Sequence, residues 1–158
     1  MRISDHYVWN FLFMLFFISL VISGTIILQS EAARPLGVMD PMSFLILGLA
    51  TFRLTRLVVN DTITAFFREQ FYDVVETKTK RYLEKPSSGP RRTIAELLAC
   101  PWCIGMWASA TILFFYHLTL YAWFPIVFLA IAGLGALFQL LANMIGWKAE
   151  QMKQGAEG

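Results

Sequence analysis

The sequence has 158 residues, of which 57% are hydrophobic and 15% are charged, and its mean hydropathy is +0.57. A soluble domain is nearer half apolar and a quarter charged, so this composition disfavours a soluble protein and indicates a membrane protein. The net charge of +2 is small, and no nucleic-acid-binding module is recognisable. Hydrolases, kinases and nucleotide-binding folds are disfavoured too, because the sequence contains no Gly-rich phosphate loop, HExxH or GxSxG motif.

The first of four apolar runs extends from Val8 to Leu28 without a charged residue. It corresponds to about 31 Å of helix at ~1.5 Å per residue, which is enough to cross a bilayer. A cleaved signal peptide is the alternative, because residues 30–32 form a passable cleavage site. The length of the apolar run and its weakly charged start favour a retained helix.

The second run, from Phe44 to Val59, is shorter and contains Arg53 and Arg56 in its last third. Long basic side chains near a helix end can extend to the lipid headgroups, so this run can still span. A turn at residues 40–43 precedes it, and Ser43 is the candidate N-cap.

The third and fourth runs, residues 102–121 and 125–147, predict a helical hairpin. The short connection HLTLYAW is rich in aromatic residues, as expected at a membrane interface. Pro125 suits the first turn of a helix, because its missing N–H would have no partner there. The predicted fold is therefore all-α: a four-helix transmembrane bundle with cytoplasmic interfacial helices.

Lys and Arg are distributed unevenly around these spans. Of the 13 residues, all but Arg34 fall on the side that holds both termini and the central segment. Because basic segments stay on the cytoplasmic side, we expect the bacterial inner membrane with both termini in the cytoplasm. The predicted domains are residues 1–42 (first helix and extracytoplasmic loop), 43–147 (the other spans, with cytoplasmic segment 60–99) and 148–158 (cytoplasmic tail).

The cytoplasmic segment begins with apolar residues at helical spacing from Ile63 to Val75. They indicate an amphipathic helix that Asn60 or Asp61 could cap, lying either in the headgroup plane or against the protein's own helix ends. The stretch from Thr77 to Pro90 is polar and basic and ends in Pro, Ser and Gly, which predicts a flexible loop.

Residues 93–96, Thr-Ile-Ala-Glu, fit a capping box and predict the start of a short helix at Thr93. This helix is expected to end before Cys100, because Pro101 disfavours helical geometry in the residue that precedes it. The motif CPWC therefore lies where an interfacial helix meets the third span. Cys100 is expected near the N-cap and Cys103 about one turn into the helix.

The two cysteines leave a redox and a structural interpretation open. As a redox pair, Cys100 would be a thiolate stabilised by the helix N-terminus, and Cys103 would resolve the adduct. The tetrapeptide resembles the active site of glutaredoxins, although no βαβ pattern surrounds it. As structural residues, the thiols would pack between helices, with Pro101 setting the turn and Trp102 anchoring at the interface. A permanent disulfide is not expected in the reducing cytoplasm.

A metal site is the third interpretation of the cysteine pair. Cys100 and Cys103 would supply half of a tetrahedral zinc site, and the sequence contains no further cysteine. His117 is expected at the opposite face of the membrane. We therefore expect no cofactor, with zinc possible only if a second chain supplies the remaining ligands.

Three polar residues within the predicted spans need hydrogen-bond partners, namely Arg53, Gln139 and Asn143. Arg53 lies about 9 Å from the end of its span at ~1.5 Å per residue, and the two amides bracket that depth. We expect Arg53 to hydrogen-bond Gln139 or Asn143 near Cys103, with extension to the headgroups as the alternative. The amides belong to a stripe of small and polar residues expected to pack on Gly105 and Ser109; it comprises Ala132, Ala136, Gln139, Asn143 and Gly146.

Two segments, LATFRLTRLVVNDTI (residues 49–63) and LLACPWCIGMW (residues 97–107), resemble the signatures of an uncharacterised family of small bacterial membrane proteins. Bacillus members of that family carry the name of sporulation proteins. The similarity extends over about residues 42–143 and implies a multi-pass membrane protein, without implying a reaction. The residues that carry it are Arg53, Arg56, Asp61, Cys100, Pro101, Trp102 and Cys103.

The sequence as a whole favours a non-enzymatic inner-membrane protein that acts through another membrane protein or a second copy of itself. The alternative is a membrane-tethered, cytoplasm-facing thiol–disulfide oxidoreductase with Cys100 and Cys103 as its catalytic pair. The lipid bilayer is the expected environment, and nucleic acid is not an expected partner. A transporter is disfavoured, because a lone Arg with two amides hardly lines a path.

Overall fold

The structure is a computed structural model that describes residues 3–37, 39–77 and 80–156. Within these residues, regular structure is helical apart from one antiparallel hairpin of two strands. The helices are α1 (Ile3–Glu31), α2 (Pro41–Val59), α3 (Ala65–Glu69), α4 (Pro90–Leu98), α5 (Pro101–Leu118) and α6 (Trp123–Ala156), with 3-10 turns at Thr62–Thr64 and Leu120–Ala122. The strands are β1 (Asp73–Thr77) and β2 (Lys80–Glu84), with Val75 opposite Tyr82.

Among the described residues, α1, α2 and α6 are long and apolar enough to cross a membrane. The pair α4 and α5, which is bent by 86°, provides a fourth span when its two helices are counted together. α5 alone has 18 residues, or about 27 Å of helix, close to the ~30 Å of a hydrocarbon core. The predicted all-α fold is confirmed, with three or four candidate membrane helices among the described residues.

The long helices lie side by side, with α2 between α5 and α6, and with α1 against α5. Trp107 of α5 contacts Phe16 and Phe17, and Phe114 lies against Gly24, so α1 runs parallel to α5. The third and fourth spans differ from the predicted hairpin, because each has α2 as its main neighbour. We call the end of the bundle where α5 begins the cysteine end, and the end where α5 finishes the histidine end.

α2 and α6 run in the same direction and approach closely at Gly133. A Cβ atom at this position would lie 3.2 Å from the carbonyl carbon of Leu49 and 3.3 Å from the Cβ of Arg53. The backbone of α2 therefore leaves room for a glycine and for no larger residue. The buried core lies between this contact and the histidine end and consists of Leu47, Ala50, Ile112, Tyr116, Ala122, Ile126 and Ala130.

The start of α2 corrects one prediction. The helix begins at Pro41, and the carboxylate of Asp40 accepts the N–H of Ser43 at 2.8 Å, so Asp40 is the N-cap and Ser43 is not. Pro fits the first helical position because its missing N–H would have no partner there.

The start of α4 corrects a second prediction, the capping box at Thr93. The helix begins at Pro90, after Gly89 with its φ of +83°, and not at Thr93. Thr93 lies in the second turn, where its buried Oγ1 has no partner among the described residues. Glu96 accepts a 2.9 Å hydrogen bond from Arg92, so no capping box forms.

The amphipathic helix predicted from Ile63 to Val75 is wrong beyond Glu69, because the chain turns and enters β1. The β-branched pair at positions 74 and 75 suits a strand. The predicted flexible loop contains β2, while Lys78 and Thr79 lie outside the described residues. Arg91 donates to the carbonyl of Gln70 at 3.1 Å and lies 3.2 Å from the carboxylate of Asp73, which joins the turn to α4.

Candidate functional site at the cysteine end

The CPWC motif forms the bend between α4 and α5, as the sequence predicts. Cys100 has extended backbone angles (φ −106°, ψ 104°) and is the N-cap of α5, while Pro101 opens the helix. The N–H of Cys103 donates to the Sγ of Cys100 at 3.2 Å, so this sulfur serves the first turn as a capping acceptor.

Cys100 and Cys103 are joined by a disulfide, with their Cα atoms 5.3 Å apart. This differs from the expectation of two free thiols. The two-residue spacing of the cysteines permits this disulfide. Cys100, extended and just before α5, and Cys103, the third residue of α5, are close enough for their sulfurs to bond. Neither cysteine in the structure is a free thiol that could ligate zinc, and no group of three or more metal-binding side chains occurs within residues 3–37, 39–77 and 80–156.

The surroundings of the disulfide are open on one side. Both cysteines are half-buried, while Pro101 is exposed and Trp102 is 87% exposed. Pro101 and Trp102 also line an open groove of about 450 Å³ between α2 and α5. Its other lining residues are Thr51, Phe52, Thr55, Gly105, Met106 and Ser109.

Arg53 has a different partner from the predicted one. Its guanidinium donates to Asp61 at 2.7 Å, and the side chains of both residues are 23% exposed. The chain folds back directly after α2, which brings Asp61 to a helix position eight residues earlier. The hypothesis that Arg53 binds Gln139 or Asn143 is therefore wrong, and Asp61 caps no helix through its side chain.

Arg56, the second basic residue of α2, is half-buried. Its guanidinium carbon lies 6.0 Å from the ring centroid of Phe52, and its Nε is buried without a partner among the described residues. The structure therefore places Arg56 against an aromatic ring on its own helix.

Gln139 and Asn143 bind each other, with the Gln139 Nε2 donating to the Asn143 Oδ1 at 3.2 Å. Both are exposed, as is every residue of α6 from Leu137 to Lys153. The predicted packing of this stripe on the third span is wrong, because Gln139, Asn143 and Gly146 are exposed. Gly105 of the third span lies nearest to Thr55 of α2 instead.

Two side chains that bind the last carbonyls of α2, at the cysteine end, were not predicted from the sequence. The Arg68 guanidinium donates to the carbonyls of Val58 at 3.0 Å and Val59 at 2.6 Å. The hydroxyl of Thr64 donates to the carbonyl of Leu57. The last carbonyls of any helix lack partners within it, so a search for nearby donors would have identified both side chains.

A second missed cluster lies at the histidine end around Arg34. Its guanidinium donates to the carbonyl of Tyr116 and lies 4.4 Å from the Tyr116 ring centroid and 5.8 Å from that of Trp123. The carbonyl of His117 accepts the N–H groups of Ala33 at 2.9 Å and Arg34 at 3.2 Å. His117 is buried there, at the opposite end of α5 from the cysteines, as predicted.

The structure thus brings together some of the predicted residues and separates others. Cys100, Pro101, Trp102 and Cys103 form one group at the bend, and Arg53 forms a second one with Asp61. Gln139 and Asn143 lie apart on the exposed part of α6.

Comparison with known proteins identifies the family. A family model described as a protein of unknown function, DUF1360, matches residues 46–142, which include both cysteines, Arg53 and Asp61 but not α1. Sporulation protein YjcA of Bacillus subtilis (strain 168) is 38% identical over 112 residues, covering 67% of this chain and 95% of that protein. UPF0713 protein YngL of the same strain is 36% identical over 110 residues, covering 64% and 81%. No solved structure matches the chain. The predicted resemblance to an uncharacterised bacterial family is confirmed, and the chain belongs to the DUF1360 family of proteins of unknown function.

Proposed function

We propose that the protein is a multi-pass protein of the bacterial inner membrane, with both termini and residues 60–99 in the cytoplasm. Support comes from the 13 Lys and Arg residues. Ten of them fall on the segments that four spans would leave on one side, Arg53 and Arg56 lie in the last third of α2 next to those segments, and Arg34 falls on the other side. Basic segments resist translocation, which makes that side the cytoplasmic one. The cysteine end then faces the cytoplasm.

Reporter fusions test this orientation in the full chain. Green fluorescent protein fused after Ala156 should fluoresce, because it folds in the cytoplasm. Alkaline phosphatase inserted after Leu36 should be active, since it needs the oxidising side, whereas the matched insertion after Ser87 should be inactive. An active insertion after Ser87 with an inactive one after Leu36 would reverse the proposed topology.

Within the membrane, the protein binds a second copy of itself through α6. The observation that carries this proposal is the position of Gln139 and Asn143 on an exposed stretch of a membrane helix. After their mutual hydrogen bond, each carboxamide still has N–H and carbonyl positions without a partner in the pair. Leaving such groups in contact with hydrocarbon is unfavourable, and a polar group on an adjacent helix relieves this.

A second copy is the simplest partner for this pair. A carboxamide both donates and accepts, so the same two side chains can satisfy each other across a twofold axis. The neighbouring residues are suited to a helix contact, because Ala142 and Gly146 let two backbones approach closely. Gln139 lies about 12 Å before Trp147 at ~1.5 Å per residue, which is within the hydrocarbon region if Trp147 marks the interface.

Crosslinking in native membranes tests the proposed contact. The wild type and a variant with exchanged amides, Gln139→Asn with Asn143→Gln, should both give a crosslinked dimer. The variant Gln139→Leu with Asn143→Leu keeps the apolar surface and should lose most of the dimer. A monomeric wild type, or an unchanged dimer fraction in the leucine variant, would overturn self-association through this pair.

A further inference from the structure

We propose that Cys100 and Cys103 form a thiol–disulfide exchange centre, with Cys100 as the sulfur that bonds to the substrate and a dithiol as the substrate class. The proposal goes beyond binding through α6 and does not depend on it. It concerns the disulfide at the start of α5, and either proposal can fail without the other.

The disulfide between Cys100 and Cys103 closes a short loop of the chain. The structure joins the two sulfurs across a tetrapeptide whose central residues, Pro101 and Trp102, are both exposed. A disulfide between residues so close in sequence closes a very short loop. It constrains the unfolded chain less than a long-range disulfide does, and its contribution to stability is correspondingly small. The Cys100–Cys103 pair is therefore better suited to reduction and reoxidation than to holding distant parts of the chain together.

Cys100 occupies the N-cap position of α5. Its Sγ accepts the N–H of Cys103 at 3.2 Å at the N-terminus of an 18-residue helix. The same N–H and the positive end of the helix stabilise a thiolate at this sulfur once the disulfide is open. Cys103, in contrast, is inside the first turn, next to the buried Ile104.

The bend between α4 and α5 leaves one side of the CPWC motif exposed. Cys100 lies in the non-helical residue of an 86° bend, where α4 has ended and α5 has not begun. The exposed Pro101 and Trp102 leave this side of the motif uncovered by the rest of the described chain. Cys100 itself is half-buried next to these two exposed residues, so an incoming thiol has its approach from outside the bundle.

The reaction proceeds in two balanced steps. A thiolate of the dithiol attacks the Sγ of Cys100, the bond between Cys100 and Cys103 breaks, and Cys103 leaves as a thiolate that takes a proton from water. The second thiolate of the dithiol then attacks its own sulfur in the mixed disulfide, and Cys100 leaves as a thiolate held by the N–H of Cys103. Two electrons pass to the protein, and the dithiol is oxidised to a disulfide.

The experiment uses the full chain in lipid nanodiscs. Dithiothreitol should reduce the wild-type disulfide under native conditions at least as fast as after unfolding in guanidinium, as measured by maleimide labelling and mass spectrometry. A purely structural disulfide would react faster after unfolding. Reduction that requires unfolding would overturn the proposal.

Two matched single variants identify the reacting sulfur. With glutathione disulfide at neutral pH, Cys103→Ser should form a mixed disulfide at Cys100 at least about tenfold faster than Cys100→Ser forms one at Cys103, reflecting the larger thiolate fraction. Each rate is compared with that of the same variant unfolded, which corrects for any change in folding. Equal rates in the two folded variants would remove Cys100 from its proposed role.

Discussion

The guanidinium of Arg53 donates a 2.7 Å hydrogen bond to the carboxylate of Asp61, eight residues further along the chain. Each side chain is 23% exposed, so the pair is partly shielded from water and is stronger than a fully exposed ion pair. With Arg68 and Thr64 bound to the last carbonyls of α2, it fixes the path of the chain as it leaves this helix. Arg53 and the last carbonyls of α2 are thus bound by residues that directly follow α2 in the sequence.

Asp61→Asn should lower the free energy of unfolding by about 1–3 kcal/mol, because it removes a charge-assisted hydrogen bond and leaves a half-buried guanidinium. The double variant Arg53→Leu with Asp61→Asn should lose less than the sum of the two single variants. Reversible unfolding in detergent micelles measures the four proteins of this cycle. Strictly additive losses would mean that the two residues are not coupled.

Gly133→Ala should destabilise the bundle by about 1–3 kcal/mol, because its Cβ would meet the α2 backbone at Leu49 and force the two helices apart. Gly135→Ala is the matched control on the same helix, since nothing lies within 4 Å of its added Cβ. The control should retain or raise the melting temperature, as alanine favours a helix over glycine. Equal losses in both variants would contradict the close approach at Gly133.

Arg34→Leu should weaken the attachment of the α1–α2 loop to the end of α5 by about 1–2 kcal/mol. It removes both the hydrogen bond to the Tyr116 carbonyl and the stacking on two aromatic rings. Arg34→Lys keeps the charge but lacks the planar guanidinium, so it should recover part of the loss. Limited proteolysis of the loop and thermal unfolding report the effect, and a leucine variant as stable as wild type would argue against the cluster.

Asp40 predicts a pH dependence at the start of α2. The backbone N–H of Ser43, and then its hydroxyl, lower the pKa of this carboxyl from its ordinary value. A lowered folded pKa means that the stabilisation is present above the unfolded pKa, about 3.9, and is lost as the pH falls through the folded value. Asp40→Asn retains a capping oxygen but does not titrate, so the melting-temperature difference from wild type should shrink between about pH 5 and pH 2. A constant difference over this range would contradict the cap.

The membrane helices and the bend at Cys100 could be predicted because they depend on features that are local in sequence. A run such as Val8–Leu28 meets the length of a bilayer by itself, and Pro101 restricts Cys100 directly. Neither feature depends on where the rest of the chain lies, and the structure confirms both.

The partners of individual polar groups could not be predicted in the same way. The estimated depth of Arg53 lies between those of Gln139 and Asn143, but depth says nothing about which side of a helix faces a neighbour. The return of the chain after Val59 gave Arg53 a carboxylate, which binds a guanidinium more strongly than an amide does. The periodicity of Ile63–Val75 failed for a related reason, since strand pairing with residues 80–84 outweighed a marginal local helix.

The 86° angle between α4 and α5 determines which molecules can meet the disulfide. With α5 upright in the bilayer, α4 must lie almost parallel to the membrane plane, and the residue between them is held at the boundary of hydrocarbon and water. A residue at that boundary is in contact with water, which the exchange with a dissolved dithiol proposed for Cys100 requires.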